Sequence, residues 1–243
     1  LYSGPLAVLV NRLSASASEI FAGAIQDYER GVIIGNATFG KGTVQSMFPL
    51  NRVQLKLTQA KFYRVSGDST QERGISPDIK FPFNHDPEIV GESTLERPLP
   101  WDRIIGRYVR KGGISKVISP LRALHNERVK QNPEFLYQNA AYDYRKSSRK
   151  ADYISLNNND RESQKDERDN FWLNLENEKR AALGRDLLTS ISNTDGTKDR
   201  EQEKAIDPHE NERDPAKKDV EEAEVIFEEK DAFLLEAGNI VLD

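Results

Sequence analysis

Ser16 and Lys41 have the types and the setting for covalent chemistry. The chain has no cysteine, and its three histidines, His85, His125 and His209, all follow residue 83. A Ser-His-Asp triad within residues 1–83 is therefore impossible, and a serine nucleophile there needs a different base, for which lysine is the obvious candidate. Ser16 stands in "SASASE", where an apolar run gives way to a helical pattern. Such a junction exposes a side chain at the carboxyl end of a strand, where α/β folds place ligands. The first N–H groups of the helix are unpaired there and, with the helix dipole, can hold an oxyanion; that of Ala17 is the natural donor. Lys41 lies in the glycine-flanked turn "FGKG". An amine is a base near neutral pH only where burial disfavours its charge, and Phe39, Gly40, Gly42 and Val44 suit that. Gln45 is four residues on; along a strand it shares Lys41's side and could bond the lysine or the serine.

The same residues admit a plainer reading. Ser16 and Glu19 fit a helix capping box, with Ser16 as N-cap and Glu19 reaching back. A lysine in a glycine turn is commonly solvated. Asp27 reads most simply as a polar residue on the outer face of the helix. Local spacing leaves the choice open.

The elements around these residues follow from hydrophobic periodicity. The apolar run 5–10 predicts a strand buried on both faces. Ile20, Phe21, Ala24, Ile25 and Tyr28 recur at helical spacing, which predicts a helix over 17–29. Residues 32–34 form a second short buried strand. Strand, helix and strand in this order make a βαβ unit and a parallel sheet. Residues 43–48 and 53–65 read as strands, and Val53, Leu55 and Leu57 alternate with polar residues. "ERGISPDI" is a turn before a last short strand.

Residues 1–83 carry nine Lys and Arg against six Asp and Glu, while residues 84–243 carry 26 against 34. That shift predicts a core over 1–83, a linker over 84–100 and a helical domain over 101–243. Helical patterns are expected from 101, with Trp101, Ile104, Ile105, Tyr108 and Val109 on one side, and then over 115–131, 133–146 and 160–182. Residues 194–219 lack hydrophobic content and are expected to form a disordered loop; 220–237 regain a helical pattern. The net charge of −5 argues against nucleic-acid binding, and no run of 18 apolar residues is present to span a membrane.

Four stretches, "GPLAVLVNRLSASASEIFAGAIQDY", "FGKGTVQ", "KFYRVSGDSTQERGISPDI" and "LPWD", together resemble the tail-specific, C-terminal processing serine peptidases of Gram-negative bacteria. The match is dense over 4–83 and looser beyond. It implies an α/β, ClpP/crotonase-like core fragment followed by a mainly helical C-terminal domain. In that family the central serine of "SASAS" is the nucleophile, which falls on Ser16. The lysine of "FGKG" is the general base, Lys41, and the glutamine of "GTVQ" assists it, Gln45. An acidic residue on the following helix has been implicated, which falls on Asp27. Ala17 would supply one oxyanion donor.

The resemblance further implies no metal or organic cofactor and a periplasmic location, in association with the inner membrane. Its substrates would be unfolded or tagged proteins with apolar C-termini, including cell-wall hydrolases and their precursors. A helical-repeat lipoprotein adaptor is an expected partner. The chain opens without methionine, in the middle of a fold, so it is expected to be a piece of a longer protein. The family's N-terminal region, its PDZ domain and the "DLR-x-N-x-GG" stretch bearing the second oxyanion donor are not in it. Alone it should be a weak peptidase, since losing one donor typically costs about 10²–10³ in turnover. A non-catalytic binding or adaptor-docking module on the same fold is the alternative.

Overall fold

The computed structural model describes residues 2–82, 86–149, 154–190 and 231–243. The expected disordered loop and residues 220–230 of the expected helix lie outside them. Two compact units are present, one made of Leu1–Lys130 with Glu236–Asp243 and one of Gln131–Leu235.

The first unit is built on the β1–α1–β2 unit that the periodicity predicts. Strand β1 (Ala7–Val10) runs parallel to β2 (Val32–Gly35), with helix α1 (Ala17–Asp27) between them in sequence. A two-residue strand β5 (Ile79–Lys80) adds in parallel on the other side of β2. The order β1-β2-β5 makes β2 the central strand, and its "VIIG" is buried throughout. Strand β1, expected to be covered on both faces, is instead an edge strand of the described sheet, with Leu9 44% exposed. The core beneath α1 joins Val10, Ala22, Ile33 and Ile75, with Val8 and Ile25 against it. Gly35 is required where β2 ends: at φ +123° a Cβ would sit 1.9 Å from the Val10 carbonyl oxygen.

Strands β3 (Thr43–Leu50) and β4 (Val53–Lys61) form a separate antiparallel hairpin turned at Asn51 and Arg52. Its register slips between Val44 and Gln45, so Gln59 is an extra residue in β4.

The expected helix after residue 101 is not formed. Residues 104–113 run without regular structure, although "WDRIIGRYV" mimics a helical stripe. The N–H groups of Ile104 and Arg107 donate to the carbonyls of Gly67 and Val65, and Gly112 donates to Tyr28. Ile105 and Tyr108, which a helix would have buried, are 94% and 100% exposed. Helix α2 (Ser115–Val129) then begins.

The second unit holds α3 (Pro133–Ser148) and α4 (Asn158–Ala182). Asn132 caps α3, accepting from the N–H groups of Glu134 and Phe135, with Pro133 in the first turn. The two helices pack through Tyr144, stacked on Phe171 at 3.8 Å. A final helix, α5 (Ala232–Leu242), ends the chain. In the first unit its Glu236, together with Asp243, meets α2: Glu236 is buried and bonds His125 and Arg128.

Candidate active site

Ser16 is the N-cap of α1 and has φ 58° and ψ −113°. Holding a non-glycine residue in so sparse a region costs on the order of 1–3 kcal/mol, and such residues concentrate at functional sites. The bonds that hold it are specific. Its N–H donates to Glu19 Oε2 (2.8 Å), and its carbonyl accepts from the N–H groups of Glu19 (2.9 Å) and Ile20 (3.1 Å). Ala17, the first helical residue, has an N–H with no intrahelical acceptor.

Glu19 does more than cap the helix. It is fully buried, and its carboxylate accepts four hydrogen bonds. Oε1 takes the Thr38 hydroxyl (2.5 Å) and the Gly40 N–H (2.7 Å). Oε2 takes the N–H groups of Ser16 (2.8 Å) and Lys41 (2.9 Å). A carboxylate has about four lone-pair sites, so its accepting capacity is filled. One oxygen atom thus links the backbones of Ser16 and Lys41, and the two nitrogens lie no farther apart than the sum of those two bonds. The two residues, 25 apart in sequence, are joined by a side chain three residues after the serine.

The Lys41 turn is held from other directions too. Phe39 donates to the Ser14 carbonyl (2.9 Å), and the Gly40 carbonyl accepts from the Glu72 N–H (2.8 Å). The Gly42 N–H donates to Gln71 Oε1 (2.9 Å). Gly40 has φ +93°, and a Cβ there would meet the Glu72 backbone at 2.7 Å. Thr38, fully buried, accepts from the Ile75 N–H while donating to Glu19. Arg12 lies buried beneath and donates to the carbonyls of Thr38, Val90 and Pro87. Burial pulls the Arg12 pKa below its ordinary value, and the nearby Glu19 charge works against that. The Lys41 amine is in no ion pair among the described residues.

The other two expected site residues lie elsewhere. Asp27 is eleven residues along from Ser16, roughly 16 Å down the axis at the usual helical rise. Its carboxylate pairs with Arg64 (2.5 and 3.2 Å) and accepts from the Ser66 N–H (3.3 Å). Gln45 is exposed on β3, and its amide donates to the Thr58 hydroxyl (3.3 Å) across the hairpin. Thr38, Arg12 and Gln71 were not apparent in the sequence. Only Glu19 carried a local signal, its place three residues past the cap.

The family models now decide the identity. Residues 1–81 match peptidase family S41, and residues 85–243 match the C-terminal domain of tail specific protease. The chain belongs to the tail-specific protease family. It is 40% identical over 203 residues to a tail-specific protease of Haemophilus influenzae, covering 78% of this chain and 29% of that protein. To a carboxy-terminal-processing protease of Bartonella bacilliformis it is 55% identical over 116 residues, 45% of this chain and 24% of that one. A solved photosystem II D1 C-terminal processing protease is 43% identical, covering 35% of this chain and 21% of that one, with a TM-score of 0.30. Among tail-specific and C-terminal processing proteases the chain therefore spans less than a third of the length of these relatives.

Proposed function

We propose that this chain carries the nucleophile, the base and one oxyanion donor of a C-terminal processing serine endopeptidase. The Lys41 amine accepts the proton of the Ser16 hydroxyl. Ser16 Oγ forms a bond to the scissile carbonyl carbon, and the Ala17 N–H donates to the resulting oxyanion. The intermediate collapses as the amine leaves with the proton from Lys41, giving an acyl-enzyme. Water, deprotonated by Lys41, releases the acyl group and restores Ser16. Gln45 assists by orienting the lysine amine; its side chain is exposed and makes a long, 3.3 Å bond to Thr58.

The observation that carries this reading is the strained Ser16 backbone fixed to the Lys41 turn by one buried carboxylate. A solvated lysine turn and an ordinary cap need no such link. The resemblance supports unfolded or tagged substrates with apolar C-termini, cell-wall hydrolases and their precursors among them. It likewise supports a periplasmic site of action and a helical-repeat lipoprotein adaptor.

The test uses the full-length protein and an unfolded substrate with an apolar tail. Ser16→Ala and Lys41→Ala are each expected to abolish cleavage and labelling by a serine-directed fluorophosphonate, with folding intact. Cleavage at the parent rate by either variant would overturn the dyad.

A further inference from the structure

Glu92 belongs to the stretch matched by the C-terminal domain, outside the part matched by the peptidase family, yet it reaches the catalytic turn twice. Its N–H donates to the Phe39 carbonyl (2.9 Å), two residues before Lys41. Its carboxylate accepts from Gln71 Nε2 (3.0 Å), and Gln71 Oε1 accepts the Gly42 N–H (2.9 Å), one residue after Lys41. Gln71 is fully buried and Glu92 is 8% exposed. Other bonds tie the same segment down: Trp101 donates its indole N–H to the Ser69 carbonyl and its backbone N–H to Glu72, and Arg12 donates to the Pro87 and Val90 carbonyls.

The chemistry of this relay is directional. A glutamine amide presents an oxygen at one side and an NH₂ at the other, with nearly the same shape. Turned around, Gln71 would aim its NH₂ at the Gly42 N–H, and the turn would lose an acceptor. An ionised carboxylate only accepts, so Glu92 forces the NH₂ of Gln71 toward itself and the oxygen toward Gly42. We infer that Glu92, acting through Gln71, is a positioning residue for the Lys41 turn, so that a segment beyond the peptidase-family match, within the same compact unit, completes the geometry of the peptidase base. This rests on the Ser16/Lys41 reading above.

A polarity swap in the full-length protein tests it. Gln71→Glu sets two carboxylates against each other, and Glu92→Leu removes the orienting acceptor. Each is expected to lower kcat by about ten- to a hundredfold, as small misplacements of a catalytic group do, with KM unchanged. The double variant Gln71→Glu/Glu92→Gln rebuilds the chain: the new carboxylate accepts from Gly42 and from the new amide. It is expected to restore most of the lost kcat, together with fluorophosphonate labelling and its pH profile. Single variants that keep the parent kcat would overturn the proposal. So would a folded double variant that stays slow, or one that fails to fold, since it preserves every bond the relay counts. Ser16→Ala and Lys41→Ala run alongside. If those two stay active, the dyad reading itself is wrong; if they are dead while the relay variants match the parent, only the relay is wrong.

Discussion

The two ends of helix α1 each bear a buried or nearly buried carboxylate, and they organise different things. At the first turn Glu19 gathers four donors, two of them the N–H groups of Ser16 and Lys41. At the last turn Asp27 gathers Arg64 and Ser66 and touches neither Ser16 nor Lys41 in its described bonds. One carboxylate joins the Ser16 and Lys41 segments directly. The other fastens the start of the 64–73 segment, which at its far end supplies Gln71 and Glu72 to the Lys41 turn. An acidic residue can therefore brace the Lys41 turn from the far end of the helix, by holding the segment that holds the turn.

The sharpest way to break this comparison is Glu19→Gln. The amide keeps one acceptor oxygen but turns an NH₂ toward backbone donors, leaving buried groups unsatisfied at about 1–3 kcal/mol each. Turnover of the full-length protein is expected to fall by about a hundredfold, since the dyad loses its link. Near-parent turnover would show that Glu19 is only a cap. Gln45→Ala is next: its one described bond is weak and exposed, so Tm should stay within a degree or two while kcat drops about tenfold. A parent-like kcat would remove Gln45 from the mechanism.

Asp27→Ala and Arg64→Ala come third, expected to lower kcat several-fold and stability by about 3 kcal/mol, as broken low-exposure ion pairs do. Because both act through one pair, the double variant should be little worse than either single. A chemical role for Asp27 would instead leave Arg64→Ala fully active. The smallest effect concerns the cluster where Glu236 meets α2, away from the dyad. Burial works to raise the Glu236 pKa, but bonds from Arg128 and His125 outweigh it and hold the carboxyl below its ordinary 4.5. A depressed folded pKa gives stability that is complete above about 4.5 and lost as pH falls through the folded value. Acid unfolding of Glu236→Gln should be flatter over that window than the parent's, with kcat at neutral pH unchanged; identical acid curves would show that the cluster contributes nothing.

The βαβ unit was legible because its burial is periodic along the chain: alternate or continuous apolar runs for strands, a recurring stripe for α1. The same logic failed after residue 101, where Ile104, Ile105 and Tyr108 recur at helical spacing but face solvent or a neighbouring loop. Helical periodicity reports an element only when one face is covered by something, and here the backbone N–H groups found acceptors in residues 65–67 instead. Glu19 was visible as a cap because capping is local. Its bonds to Thr38, Gly40 and Lys41 were not, since they cross about twenty residues with no repeating pattern.

Sequence alone determined the residue types that could act: serine at a strand-to-helix junction, lysine between glycines, and no histidine or cysteine nearby to compete. It could not determine that their backbones share one buried partner. That was decided by tertiary structure, through buried side chains whose polar atoms must find partners when water is removed. Glu19 and Gln71 satisfy that demand with the backbone around Lys41, and so the need to pair buried groups is what fixes the Lys41 turn in place.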